Sequence, residues 1–261
     1  MKVRFEIKQQ GDTNQIPIVM VHGDEANYLI PKYLDPSIPF YIFKHMGIEE
    51  RKFPYTSIQD IGSIYVEKLN QVYPKGTFLL SGFSIGGVIA YEMAQQLQVI
   101  GRNFHLVLLD SKCPRLKSNL EYHNRQIRWN DSLLAKIYKR YSKKLILALY
   151  QVTGIKMTKK HFYYWRMQQY RKARKNYYIV DYYDDLTLIK TIQDNFQQPN
   201  LGWSKFVKGH IYLHHIDCSH HQITQEPCIQ KTVNLLEQIQ RKYNKKELLE
   251  HLQQPFLKIA K

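Results

Sequence analysis

The sequence is poor in cysteine: Cys113, Cys218 and Cys228 are the only three in 261 residues, and no two form a CxxC pair. An odd count without paired spacing excludes a disulfide framework and offers no zinc-ligand pattern, so no metal site is expected and the cytoplasm is the expected compartment. Long apolar runs are also missing. The N-terminal MKVRFEIKQQ breaks its apolar residues with charges, and the longest later run, Leu145 to Tyr150, is far short of the roughly 20 residues of a membrane span. A soluble chain with no transmembrane segment is expected. The third scarcity is local. Between Lys112 and Lys175 only Glu121 and Asp131 are acidic, against eighteen Lys and Arg, while the remainder balances twenty basic with twenty acidic residues. The whole formal net charge of +16 therefore lies in one segment, which suits a localised surface for an anionic partner better than a solubility device.

What is present is organised around Thr77 to Tyr91, TFLLSGFSIGGVIAY. An apolar strand-like run meets Gly82-Phe83-Ser84-Ile85-Gly86 and continues with helical spacing through Val88, Ala90, Tyr91, Met93 and Ala94. A serine at the apex of such a strand–turn–helix sits in a strained conformation, and small residues two positions either side, Gly82 and Gly86, leave it room. Its hydroxyl then stands clear of the sheet, facing the positive end of the following helix, where the Ile85 N–H can hold an oxyanion. Ser84 is the candidate nucleophile; an incidental serine in a glycine-rich turn is the plainer alternative.

The rest of the chain reads as alternating strands and helices, long enough for one α/β domain with an insertion and too short for two enzymatic domains. Val3 to Ile7 suits an edge strand, and Ile16 to Val21 a buried strand ending at His22-Gly23. The loop from Asp24 to Asn27 then lies at the carboxyl edge, where the Asp24 or Glu25 N–H could be a second oxyanion donor or the Asp a helix cap. Phe40 to Phe43 is another short strand. Ser57 caps a helix carrying Ile58, Ile61, Ile64, Tyr65 and Leu69 on one face, and Pro74-Lys75-Gly76 turns into the serine strand. His105 to Leu109 is a buried strand delivering Asp110, an acid able to orient a histidine, or again a cap. Leu186 to Thr191 is a strand followed by Asp194, the alternative acid. Ile211 to Ile216 is the last strand, with His220 and His221 just beyond it, where a base completes the order Ser, Asp, His. His220 is preferred, with His221 the alternative. Pro227 opens a closing helix, Ile229 to Gln240, and another short helix is expected in the tail to Lys261.

The stretch from about 112 to 180 departs from this alternation. One expected helix starts at Asp131-Ser132 with Leu134, Ile137, Tyr141, Leu145 and Leu149 inward and Lys136, Lys139, Arg140, Lys143 and Lys144 largely off that stripe. A second, about Lys159 to Tyr177, mixes Tyr163, Tyr164, Trp165 and Tyr170 with Arg166, Arg171, Lys172, Arg174 and Lys175. Two helices inserted after a strand suit a lid over the site, and Lys139, Arg140, Lys143, Lys144, Arg171 and Lys172 are its candidate partner-binding residues. A solvated charge face on two ordinary helices is the competing account.

These residues resemble the thioesterase-domain family of α/β-hydrolases, which releases acyl chains from carrier domains of nonribosomal peptide, polyketide and fatty-acid synthases. The resemblance rests on PIVMVHG at 17–23, YPKGTFLLSGFSIGGVIAYEMAQQL at 73–97, LVLLDSKCP at 106–114, and LGW at 201–203 followed by the segment from His220 to Pro227. It implies one α/β-hydrolase domain over 1–261, a mostly parallel sheet flanked by helices with the helical lid inserted. Carried over by position, Ser84 is nucleophile, His220 base and Asp110 its partner; in some relatives the acid follows the next strand, here Asp194. Two positions depart from the family pattern. Cys218 stands where glycine usually precedes the histidine by two residues, and Asp24-Glu25 stand where small residues usually follow His-Gly.

The resemblance makes an acyl thioester the expected substrate and acyl transfer through an acyl-serine the expected chemistry, with no cofactor. An acidic acyl carrier protein or coenzyme A is the expected donor, and a basic lid would steer either. No carrier domain is legible in the chain, so a donor in trans is expected. Two other classes draw on the same residues. A carboxylesterase or lipase acting on oxygen esters would use the same chemistry. A non-enzymatic module binding nucleic acid or an anionic surface would use the Tyr-rich basic segment. The set of Ser, Asp and His at strand ends argues against that module, and no nucleic-acid partner is expected.

Overall fold

Short apolar runs separated by turn residues and helices build a single parallel-dominated sheet in the computed structural model, which describes residues 3–21, 29–45, 57–114, 148–150, 152–153, 155, 157–193 and 198–259. Its strands are β1 (Phe5–Gln9), β2 (Ile18–Val21), β3 (Phe40–Phe43), β4 (Phe78–Phe83), β5 (Phe104–Leu109), β6 (Leu186–Thr191) and β7 (Ile211–Ile216). They run in the order β1-β3-β2-β4-β5-β6-β7. Only β1 is antiparallel, against β3, and each of the other neighbouring pairs is parallel. The edge strand thus begins and ends two residues later than the sequence pattern suggests, while β3, β6 and β7 have the expected bounds.

The described helices are α1 (Ile30–Tyr33), α2 (Ile58–Val72), α3 (Ile85–Val99), α4 (Lys159–Asn176) and α5 (Cys228–Ile259). Helix α5 runs through the tail in place of the separate short helix expected there. Ser57 caps α2 as its position predicts, accepting the Asp60 N–H at 3.1 Å, and Thr158 caps α4 by accepting from His161 at 3.3 Å.

Strand residues alternate between the two faces, and both faces are covered, which is why the central strands are apolar throughout. Val19, Val21, Leu80, Leu106 and Leu108 pack with α2, α3 and the Tyr170 and Ala173 side of α4. Ile18, Met20, Leu79, Val107 and Leu109 pack with Ile30 of α1 and Ile229, Val233 and Leu236 of α5. Helix α3 lies so deep that Val88, Ile89, Ala90, Tyr91, Met93 and Ala94 are all buried. Parallel pairing with Phe83 opposite Leu109 and Leu109 opposite Ile189 brings the carboxyl ends of β4, β5 and β6 to one rim. Of the segment expected to cover that rim, α4 is described; the helix expected from Asp131 lies mostly outside the described residues, with Lys139, Arg140, Lys143 and Lys144.

Candidate active site

Ser84 follows β4 directly and has φ 54°, ψ −117°, a backbone conformation that side chains rarely adopt. The strain persists because its neighbours leave nowhere else to go. A Cβ on Gly82 would lie 2.4 Å from the Gly86 carbonyl oxygen, so the strand can approach the first turn of α3 only through glycine. A second close approach, which the five-residue pattern does not mark, is at Gly87, where a Cβ would meet Ser111 Cβ at 2.4 Å. The Ser84 N–H donates to Leu109 at 3.0 Å, and its carbonyl accepts from Gly87 N–H at 3.1 Å and from the Ser111 hydroxyl at 2.8 Å. Ile85 opens α3, so its N–H has no acceptor within the helix, and the residue borders the same cleft as Ser84.

Asp110 follows β5, also at positive φ, 41°. Its N–H donates to Ile189 at 2.7 Å, and its buried carboxylate accepts the Thr191 N–H at 3.0 Å and faces His220 Nδ1 at 2.5 Å. Burial pushes that carboxyl up, but the hydrogen bond and charge of His220, together with Thr191, outweigh it and hold Asp110 below the ordinary carboxylate value. His220 Nε2 is 3.0 Å from Ser84 Oγ. With Nδ1 protonated toward the carboxylate, Nε2 is left to accept the serine proton. Phe83 stacks on the imidazole, ring centroids 4.8 Å apart and 30° from parallel, which limits its rotation. His221 is beside this chain of hydrogen bonds, its ring 5.3 Å from that of His220, and borders the cleft.

The histidine loop is closed by Gln222, whose side-chain oxygen accepts the Ser219 N–H at 3.0 Å and its hydroxyl at 2.7 Å. Cys218, in the family's usual glycine position, is buried with Ile216, Ile223 and Ile229. Burial and the neighbouring Cys228 thiol push its own thiol up to about 12, so it behaves as a small apolar filler under the loop. Asp24 and Asp194 lie outside the described residues.

A cleft of about 430 Å³ opens onto Ser84 and His220, and one face of α4 forms a wall of it through Tyr163, Tyr164, Met167 and Arg171. Lys172, one residue on, is exposed and does not line the cleft. Beyond Thr191, sequence reasoning missed three contributors. Ser111 stands next to Asp110 and ties the strained serine to β5. Trp203 donates its indole N–H to the Ser111 carbonyl at 2.7 Å, supporting that tie from behind. His45, after β3, reaches the cleft while its Nδ1 lies 2.9 Å from the Tyr170 hydroxyl. The LLDS and LGW words contain the first two; nothing local marks the third.

A family profile described as thioesterase domain matches residues 28–243. The chain belongs to the thioesterase domain family. Among curated relatives of this thioesterase domain, the inactive atromentin synthetase invA4 of Paxillus involutus is 36% identical over 89 residues, 33% of this chain and 9% of its own. The atromentin synthetase nps3 of Serpula lacrymans is 30% identical over 125 residues, 46% of this chain and 13% of its own. The thioesterase-domain chain thus spans roughly a tenth of the length of these relatives. Among solved structures, a four-domain nonribosomal peptide synthetase superposes with a TM-score of 0.72 at 17% identity, over 90% of this chain and 20% of that one. The NocB thioesterase domain of the nocardicin cluster gives 0.64 at 16% identity, covering 90% of this chain and 97% of the other. The RedJ thioesterase of Streptomyces coelicolor gives 0.60 at 17%, covering 87% and 91%. The shared fold is the α/β-hydrolase fold. No described helix of the thioesterase domain is long and apolar enough to cross a membrane.

Proposed function

We propose that this chain releases acyl groups from thioesters through an acyl-serine intermediate, with Ser84 as nucleophile, His220 as base and Asp110 as its partner. The observation that carries the reading is the continuous hydrogen-bonded chain from Ser84 Oγ through the His220 imidazole to the buried Asp110 carboxylate. Ser84 Oγ forms a bond to the thioester carbonyl carbon as His220 takes its proton, and Asp110 stabilises the imidazolium. The negative charge on the carbonyl oxygen falls to the Ile85 N–H at the positive end of α3, with the Asp24 N–H as the proposed second donor. As the C–S bond breaks, the imidazolium proton passes to the departing thiolate. Water, or a hydroxyl or amine of the acyl chain, then gives its proton to His220 and attacks the ester carbonyl, and His220 passes that proton to Ser84 Oγ as the acyl–Oγ bond breaks.

The donor we favour is an acidic acyl carrier protein, or coenzyme A. Its phosphates suit Arg171 at the cleft and the basic run around Lys139, Arg140, Lys143, Lys144 and Lys172, with the segment from 112 to 180 serving as the lid of a single domain. Intact mass after mixing with acyl-pantetheine thioesters tests the reading: an acyl adduct is expected on the native chain and none on Ser84→Ala. An unchanged adduct on the alanine variant would overturn the assignment of the nucleophile. Faster turnover of matched oxygen esters than of thioesters would overturn the choice of substrate.

A further inference from the structure

The cleft over Ser84 is walled mainly by rings. Phe83 and His221 stand on the sheet side, His45 reaches in from the end of β3, and Tyr163 and Tyr164 face them from α4, with Met167 one turn further. Branched aliphatic lining is confined, among the described residues, to Ile85. The two tyrosines pack edge to face, centroids 6.0 Å apart, and remain 41% and 36% exposed beside the half-buried Ser84. Tyr163 is also held from behind, because the buried Arg166 guanidinium lies 5.5 Å from its ring centroid and 5.7 Å from that of Phe162. A cation fixed against a ring face orients the ring. Rings gain from an aromatic partner in offset or edge-to-face geometry beyond what burial alone supplies, and a thioether adds a favourable contact at a ring edge.

We infer that the acyl group this site selects is aromatic: an aryl ring attached a few carbons from the thioester carbonyl, inserted between Tyr163 and Tyr164 on α4 and His221 on the sheet side. The inference rests on the acyl-serine reading above and narrows its substrate. Rings set on both sides of the cleft contact both faces of a planar group, and a linear alkyl chain of the same carbon count forgoes those contacts. A cleft of about 430 Å³ holds a phenylpropanoyl or comparable group without requiring the chain to fold back on itself.

Two measurements test the inference and separate it from the reading beneath it. The first compares kcat/KM for phenylpropanoyl- and nonanoyl-pantetheine, which have equal carbon counts, on the native chain and on Tyr163→Leu, Tyr164→Leu and the double variant. Leucine keeps apolar bulk and removes the ring. A preference for the aryl thioester of about tenfold is expected on the native chain, with the ratio falling several-fold in each single variant and toward one in the double variant, mainly through KM. The second measures the affinity of the same two thioesters for Ser84→Ala by calorimetry, where no turnover is needed, and tighter binding of the aryl compound is expected. Equal or weaker aryl binding, or a kcat/KM ratio that the double variant leaves untouched, overturns the inference. Aryl-selective binding without acylation of the native chain would sink the catalytic reading and leave the specificity standing.

Discussion

Ser84, Asp110 and His220 stand on loops whose backbones are each held by their neighbours, whereas Tyr163, Tyr164 and Arg171 stand exposed on one face of a helix. On the sheet side, Ser84 and Asp110 sit at positive φ and hydrogen-bond to adjoining strands, so a small shift of β4 against β5 would change the distance between them. On the α4 side, the backbone hydrogen bonds are internal to the helix, and side chains such as Tyr170, Arg174 and the capping residue Tyr177 tie it to the core. The difference separates two kinds of work. A pinned floor fixes proton-transfer geometry and should govern kcat, while an exposed helix face can vary in side chains without disturbing the chemistry and should govern KM and selectivity.

The largest expected effect comes from breaking the floor at Asp110. Asp110→Asn removes the carboxylate that holds Nδ1 protonated and should lower kcat by about 10⁴ with little change in KM, read from steady-state thioester hydrolysis. The same variant should alter acid stability. Because the folded Asp110 carboxyl titrates below its ordinary value of 3.8, the folded state binds fewer protons than the unfolded one in that window. Its stabilisation is complete above about pH 4 and is lost as pH falls through the folded value. Thermal melts of the native chain should therefore fall off below pH 4 more steeply than those of Asp110→Asn, and parallel curves would refute the electrostatic account.

Gly82→Ala tests whether the floor depends on contact rather than on hydrogen bonds. The added methyl would press on the Gly86 carbonyl at 2.4 Å, and backbone cannot yield as a flexible side chain can. A loss of about 1–3 kcal/mol in urea unfolding is expected, with kcat reduced as the serine turn shifts. Gly101→Ala makes the control: it has open space around it but φ 67°, so any cost there is conformational, without a clash.

How much of this was legible follows the same division. The serine turn could be read because its geometry demands glycine within a few residues, and Asp110 because an apolar run ends abruptly at an acid. The bounds of β3, β6 and β7 were equally clear, since each apolar run is closed by polar or turn residues. Thr191, Ser111 and His45 were not readable as site residues. Their partners are Asp110, Ser84 and Tyr170, and those contacts exist only once strands pair in register and α4 packs down. The length of α5 was missed because the largely polar run at 241–247, RKYNKKE, separates the apolar residues of the tail, Leu248, Leu249 and Leu252, from those of the closing helix. Cys218 was visible as a departure, but its role as buried filler depends on Ile216, Ile223 and Ile229 surrounding it.

Ser111→Ala makes a subtler break in the floor. It deletes the hydroxyl that donates to the Ser84 carbonyl at 2.8 Å and leaves the fold's apolar contacts in place. The lost hydrogen bond is worth about 1 kcal/mol, so kcat should fall by about five- to tenfold if the contact holds Ser84 in its reactive conformation. Ser111→Thr, which keeps the hydroxyl but crowds Gly87, should lose stability more than rate. A Ser111→Ala chain with native kcat and lowered stability would make the residue a packing element only.

The smallest effect is expected where the helix meets the floor. Tyr170→Phe removes the hydroxyl 2.9 Å from His45 Nδ1 while keeping the ring, which is buried and tilted against the His45 imidazole with centroids 5.4 Å apart. Apolar packing of α4 should survive, so the change reports on the contacts of the hydroxyl. Since α4 supplies the cleft wall and none of the proton-transfer groups, kcat should stay near native, and KM for an aryl thioester should rise by about threefold as the wall loosens. Hydrogen exchange should show faster opening of residues 159–176 with β4 and β5 unchanged. A drop in kcat equal to the rise in KM would mean that α4 and the sheet rim move as one body, and the division between them would have to be abandoned.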